Sequence, residues 1–560
     1  MDRRATLAKL LGQKSTDATA NTHAALDTSA LVSGLAPYNG PFNFEQAAHL
    51  LRRATFGANY QQIKDAVSMG LDGTLNQLVA TPPMPNPPLN PNFSGDPHAA
   101  IGQTWVDSAS DASVPGIQGY RNQSLRAWTL DLIRTEGVSL REKMVLFWHN
   151  HFPIADINDP RFVYKYITLI RQNALGNFRE LTKAITIDPA MLRYLNGRDN
   201  TAASPNENYA RELLELFTIG KGPQVGPGDY TNYTEQDVEE MAKVLTGWID
   251  QGFNTQNPAQ PVTATFLPNR HNTTTKQLSH RFNDVQIPNM GNQEYAHLID
   301  IIFSKDECAR FICRKLYRWF VYYEIPQQVE EDVIAPMAQI LLSNDYNIQP
   351  AVEALLRSEH FFDILNVGPM IKNPVDFTMS VFKTFDIDLT AASLEQHYRV
   401  LWQTFRTTVT PMQMAHFDPP SVSGWKAYYQ APVFYRHWIS AVTLPVRQAY
   451  TTRMLGNGIT ALGFGAKINV LGFISALDTP EIADDLIGEL VGILFPQPIT
   501  QFQHDFLKGI LLPGLPDYEW NIEYSDHVNN PNDVNLANAV KSKLTNLLSA
   551  MMNMPEFYLS

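Results

Sequence analysis

Cysteine is scarce in this chain: 560 residues contain two, Cys308 and Cys313. Both lie in E-C-A-R-F-I-C-R-K-L, a segment with helical spacing, and an i, i+5 pair on a helix holds its Cα atoms beyond disulfide reach. No C-x-x-C, C-x-x-C-H or zinc-ribbon spacing occurs. The reading is two buried thiols, with no disulfide framework. Long apolar runs are missing too. No stretch of about 18 apolar residues is present, which excludes a membrane-spanning helix. Nor is there a G-x-G-x-x-G, a P-loop, an H-E-x-x-H, a G-x-S-x-G or an EF-hand loop, so nucleotide, zincin and serine-hydrolase readings lack support. Basic residues are outnumbered, 43 against 56 acidic ones, for a formal net charge of −13. That balance lacks the basic surface needed to release counterions from nucleic acid, so nucleic acid is not the expected partner.

What is present is the composition of a folded protein, 44% apolar and 18% charged, within the globular range. The first residues, M-D-R-R-A-T-L-A-K-L-L-G-Q-K, resemble the charged start of a twin-arginine export signal. Lys9 then interrupts the apolar run such a signal needs, and Q-K-S-T-D follows at once. Residues 1–41 therefore read as a polar N-terminal tail, and the compartment stays open between exported (periplasmic) and cytoplasmic.

From about Phe42 the apolar spacing is that of helices. The pattern predicts a helix from near Phe42 closed by Gly57, then others at 60–79, 121–136, 139–150, 160–173, 177–187 and 190–196, and then two across 205–249. Others follow at 294–304, 307–324, 328–343, 348–357, from 374, at 391–404, 432–453, 480–493 and 534–552. Two stretches break the pattern. Residues 81–119 begin T-P-P-M-P-N-P-P-L-N-P-N, which cannot be helical and reads as an extended surface strap. Residues 251–293 turn polar and read as a long loop with a short β-hairpin around 262–283. The expected fold class is all-α, a large orthogonal multi-helix bundle. A single globular domain would cover 42–558, with those two loops as excursions.

The chemistry centres on P-N-E-N-Y-A-R-E-L-L-E-L-F-T-I-G. At about 100° per residue, Asn208, Arg211, Glu212 and Glu215 share one narrow stripe while Leu213, Leu214 and Phe217 point away. Asn208 and Glu212, one turn apart, can reach one metal ion or one hydroxyl. The plain alternative is a solvated face in which Glu207–Arg211 is an ordinary i, i+4 pair. His149 and His151 lie in F-W-H-N-H-F-P. On a helix their spacing sets them about 200° apart. Pro153 disfavours helix at Phe152, so the helix is expected to end near Asn150, leaving His151 in extended chain where the two rings can converge. The bland reading is one packed ring and one bonded to a helix-end carbonyl. His271 and Lys276, in P-N-R-H-N-T-T-T-K, are loop-borne groups suited to an anion or to a plain surface. Trp425 belongs to an aromatic cluster, S-G-W-K-A-Y-Y-Q-A-P-V-F-Y-R-H-W, fit for stacking or for closing a core.

H-L-L-R-R-A-T-F-G-A, F-W-H-N-H-F, N-E-N-Y-A-R-E-L-L-E-L-F-T-I-G, Y-T-E-Q-D-V-E-E-M-A-K-V-L-T-G-W and P-P-S-V-S-G-W-K together resemble a large bacterial family catalogued as domain of unknown function eighteen hundred. The likeness runs through residues 42–558. It implies an all-helical fold, frequent export signals and a genomic neighbour of sulfatase-like character, and it brings no established activity.

Two functions follow as expectations. One is an enzyme, metal- or acid/base-assisted, acting on an envelope or extracellular polymer. In it Glu212, His149 and His151 are catalytic, a divalent metal sits on His149, His151, Asn208 and Glu212, and Arg53, Arg211, His271, Lys276 and Trp425 bind substrate. The other is a non-catalytic scaffold or binding partner of a sulfatase-like envelope protein.

Overall fold

The computed structural model describes residues 34–560, so the Arg3–Arg4 stretch and most of the expected tail lie outside the described residues. Helix starts follow local capping chemistry. Asn43, Asn59, Asp159, Asn177 and Asp188 each accept a backbone N–H from the first turn of the helix they precede, meeting one of the donors that have no partner inside the helix. Helices Phe44–Ala54, Tyr60–Val79, Ile117–Thr135, Arg141–His151, Pro160–Gln172 and Phe178–Thr186 result, close to their expected spans. The second is broken at Gly70, where φ is 70°.

Helix takes 55% of the chain and strand 6%, so the fold is largely helical and the expectation of a purely all-α protein is corrected. The strands form four two-stranded antiparallel pairs among the described residues. Two belong to the polar loop after 248. Trp248–Gln251 pairs with Thr263–Phe266, and Lys276–Gln277 with Gln286–Ile287. The expected hairpin therefore lies partly outside its assigned span. Helices Gln501–Leu511 and Asp517–Asn529 were not anticipated. Both expose large apolar groups (Phe502, Phe506, Tyr518, Ile522), which blurs the periodicity.

One apolar cluster runs from Ala47 to Tyr558 and is shared by nearly every helix. At its middle lies helix Arg141–His151, in which residues 141 to 149 are all buried. A helix apolar or buried all round belongs inside a large core. The Pro-rich strap is stapled down rather than free. Arg141 Nη1 donates to the carbonyls of Pro82 and Pro83 at 2.6 and 2.9 Å, and Trp128 Nε1 to that of Asn86 at 2.8 Å. The last tail residues are docked as well: Tyr38 N donates to Arg357 O, and its ring lies 4.5 Å from that of Phe362.

Candidate functional site

Helix Arg141–His151 runs one residue further than expected. Phe152 leaves it with φ −114° and ψ 75°, as Pro153 requires, but His151 is still helical. The two histidines therefore point to opposite sides and do not converge. His149 packs edge-on to Phe417 at 4.8 Å and lies 6.4 Å from Trp425. Burial pushes it down to about 3, and neither ring nitrogen has a hydrogen-bond partner among the described residues. His151 faces the other way. Its Nε2 donates to Phe217 O at 3.0 Å and its Nδ1 accepts from Lys315 Nζ at 3.1 Å. Lys315 is itself pushed down to about 7, chiefly by burial.

The helix beginning at Glu207 shows His151 its apolar side. It is α-helical to Glu212 and widens into a π-turn over Leu213–Thr218. Asn208 is exposed and its Nδ2 donates to Leu195 O at 3.3 Å. Glu212 is half-buried, its pKa raised first by desolvation and then by Glu215. Arg211 bridges to Glu235 at 2.8 Å and to Glu207 at 3.1 Å, so the polar stripe ties this helix to helix Glu235–Val244. Asn208 and Glu212 thus share the polar side of this helix, and the two histidines, on opposite sides of theirs, do not join them in one site. Among the described residues no group of three or more His, Cys, Asp or Glu side chains is placed to hold a metal ion.

His271 and Lys276 are not on the surface. Both bind Glu294, which is wholly buried: His271 Nε2 lies 3.0 Å from its carboxylate and Lys276 Nζ bonds the other oxygen. His271 Nδ1 faces Thr246 O at 2.9 Å, and Lys276 Nζ donates to Asn272 O at 2.6 Å. This triad closes the polar loop onto helix Glu294–Phe303, a charged clasp where the sequence suggested a ligand site. Trp425 is likewise buried. Its N–H donates to Asn150 Oδ1 at 3.0 Å, which joins the S-G-W-K turn to the end of helix Arg141–His151.

A different group of residues surrounds a cavity. Lys143, on the same central helix, donates to Asp376 Oδ1 at 2.5 Å. Asn373 caps the helix that carries Asp376: its Oδ1 accepts the Asp376 backbone N–H at 2.9 Å, and its Nδ2 donates to Asp376 Oδ2 at 2.6 Å. The same Asn373 amide reaches Tyr428 Oη at 3.1 Å. Trp319, Tyr428, Tyr435 and Trp438 wall the space, which holds about 20 Å³, and Arg53 lines it. That is room for one water or one small ionic group.

Arg53 has little capacity left for a ligand. Its Nε donates to Phe320 O at 2.9 Å, its Nη1 to Ser560, and its Nη2 to Val321 O at 3.2 Å. It sets the charge of the cavity nonetheless. Four buried basic groups, Arg53, Lys143, Lys372 and Arg447, feel the field of Asp376, and Lys143 that of Glu136 as well; of the four, Arg53 and Lys143 line the cavity. Burial pushes all four down, Arg53 to about 10, Lys372 to about 7 and Arg447 to about 9. Such a pattern of perturbed groups around a cavity marks a candidate site.

Lys143, Asn373 and Asp376 escaped the sequence reading, although each left a trace. Lys143 stands directly before the apolar run M-V-L-F-W, at the start of a helix that is buried all round. N-P-V-D is a helix cap with its carboxylate at the third position.

No curated protein and no solved structure matches the chain. A family model described as "Protein of unknown function (DUF1800)" matches residues 49–559, and the chain belongs to that family.

Proposed function

We propose that the chain is an acid/base-assisted enzyme that acts on an anionic fragment of an envelope or extracellular polymer, with Lys143 and Asp376 as its reacting pair. The observation that carries this is the charge imbalance: Arg53 and Lys143 line an aromatic-walled cavity at Asp376, whose field the buried Lys372 and Arg447 also share. Uncompensated buried charge is costly, and an entering anion relieves it. Lys143, held below the usual lysine range by burial, donates its proton more readily than an exposed lysine. Asp376 accepts from it, and Asn373 fixes the carboxylate. Trp319, Tyr428 and Trp438 wall a space that admits the anionic group of such a fragment and not its ring.

The test is calorimetric titration of a panel of acidic and neutral oligosaccharides into the wild type, Lys143→Met and Asp376→Asn, followed by product analysis. Binding of acidic members alone, weakened at least tenfold by Lys143→Met, supports the reading. Equal binding by wild type and both variants sinks it.

A scaffold role for a sulfatase-like partner is the second reading. It is favoured by Phe502 (82% exposed) and Phe506 (55%), which lie one turn apart on helix Gln501–Leu511, since exposed apolar patches mark interaction surfaces. Phe502→Asp with Phe506→Asp should then abolish co-purification of that partner, and unchanged co-purification refutes the idea.

A further inference from the structure

The roomiest cavity described lies away from Lys143 and holds about 420 Å³, within the roughly 300–1,000 Å³ of small-molecule sites. It sits between helix Phe44–Ala54, helix Ala483–Leu494 and the turns that follow Phe362 and Phe495. Phe362, Ile364, Val367, Val491, Phe495 and Ile499 make its walls apolar.

Four polar atoms of residues that line this space have no hydrogen-bond partner among the described residues: Gln46 Oε1, His49 Nδ1, Gln497 Oε1 and His504 Nδ1. Their chemistry is fixed by what the other ends of two of them do. His49 Nε2 lies 3.0 Å from Phe361 O, an oxygen that only accepts, so Nε2 carries the proton and Nδ1 presents a lone pair. The His49 side chain is 98% buried, as its exposure of 2% implies, and it stays neutral because burial pushes it down to about 3. Gln497 Nε2 donates to Val367 O at 2.8 Å, which leaves its Oε1 as the free end. Buried acceptors favour a partner that donates a hydrogen bond, so these atoms select for an occupant with a donor. At these atoms a carboxylate head is a poor match, because it brings only further acceptors. Arg52, the cation in the wall, has its Nη2 committed to the carbonyls of Gly492, Ile493 and Phe495 at 3.4, 3.2 and 3.1 Å.

We infer that this cavity is a binding site for an aliphatic alcohol, its chain lying along the apolar walls and its hydroxyl donating to His49 Nδ1 or Gln497 Oε1. The occupant is thus neutral and of a different class from the anion assigned to the Lys143 cavity.

Gly488 supplies a clean variant. It lines the cavity on helix Ala483–Leu494, and a Cβ added there meets nothing within 4 Å. Gly488→Leu therefore fills the space while favouring the helix. Full-length protein is titrated calorimetrically with 1-decanol, decanoate and decane, each below its aggregation limit. The expected result is one 1-decanol per chain, with decanoate and decane at least tenfold weaker. Gly488→Leu should weaken 1-decanol at least tenfold at unchanged thermal midpoint, and Gln497→Leu should narrow the preference for 1-decanol over decane. Equal affinity for decane and 1-decanol overturns the inference, as do tighter binding of decanoate and full retention of 1-decanol binding by Gly488→Leu.

Discussion

Removing either partner of the Lys143–Asp376 pair should destabilise the protein unequally, and the inequality tests the charge imbalance on which the proposed site rests. The pair is close and mostly buried, 2.5 Å with side-chain exposures of 6% and 16%. Asp376→Ala strands Lys143 among Arg53, Lys372 and Arg447 without the carboxylate it bonds, and breaking a buried pair this way costs about 3–5 kcal/mol. Lys143→Met is milder. Met fills the same length against Phe56 and Trp319, whose rings lie 4.9 and 5.9 Å from the ammonium. Asp376 also keeps its Asn373 bonds and three of its cations. A cost of about 1–2 kcal/mol is expected, that of a lost charge-assisted hydrogen bond.

The pH dependence has a definite sign. In Asp376→Ala the folded chain holds Lys143 with a pKa lowered still further, while the unfolded chain keeps the ordinary lysine value. Between the two the unfolded state binds the extra proton, so the deficit is largest at low pH and shrinks as pH rises from 7 to 9. The assay is the thermal midpoint of wild type and both variants across that range, with and without sodium acetate against a sodium chloride control. Acetate should recover part of the Asp376→Ala loss by occupying the vacated position and leave Lys143→Met unmoved. If Lys143→Met costs as much as Asp376→Ala, or if acetate acts no differently from chloride, the cluster has no unmet demand for an anion.

Three further outcomes follow from the geometry. Glu294→Gln should cost about 3–5 kcal/mol, because it leaves Lys276 and His271 buried beside a neutral amide, and hydrogen exchange should rise across residues 246–294. An unchanged exchange pattern would mean the clasp is not structural. Gly424→Ala should destabilise by more than about 2 kcal/mol and loosen the Trp425–Asn150 contact: its φ is +80°, and a Cβ would meet Asn150 Oδ1 and its carbonyl oxygen at 2.3 and 2.6 Å. A stable Gly424→Ala protein with native Trp fluorescence would contradict that packing. His149 stays neutral in the folded chain down to about 3 but protonates near 6.5 when unfolded. It therefore subtracts stability as pH falls below 6.5, by up to about 1.4 kcal/mol per unit. His149→Leu should shift acid unfolding to lower pH at little cost near pH 7, and an unshifted acid midpoint would show that His149 gains its proton in the fold.

Local signals in the sequence were strong where one residue decides an element. Asn43, Asp159 and Asp188 start helices because each offers an oxygen to free N–H groups, and such chemistry needs no tertiary context. The candidate site was poorly legible for the opposite reason. Lys143 and Asp376 are 233 positions apart, and no periodicity reports a contact across the chain. The stripe on Glu207–Glu212 was visible, yet its purpose was not, since Glu235 of the next helix turns it into an ion-pair seam. The H-x-H spacing misled through a single residue: with His151 inside the helix, the rings diverge. The loop pair His271 and Lys276 looked solvated because the Glu294 that buries them lies at the start of a later helix.

Helix Arg141–His151 carries five polar side chains into the core; Arg141 holds the Pro-rich strap, and comparing the partners of the other four separates structure from site. Glu142 meets Arg171 through two bonds of 2.7 and 2.8 Å, with both side chains at most 2% exposed. His151 has a carbonyl on one nitrogen and Lys315 on the other. Both are closed arrangements with no nearby space. His149 has no partner among the described residues, but apolar rings surround it and it stays neutral. Lys143 alone combines a charge, a partner and a cavity. A buried ion pair is often no more stabilising than well-packed apolar residues of the same volume. In a helix this deeply enclosed, Met in place of Lys143 loses little more than the charge-assisted hydrogen bond to Asp376. A lysine there earns its place only if its charge or its proton is used, and of the four positions only 143 opens onto a space where something else can use it.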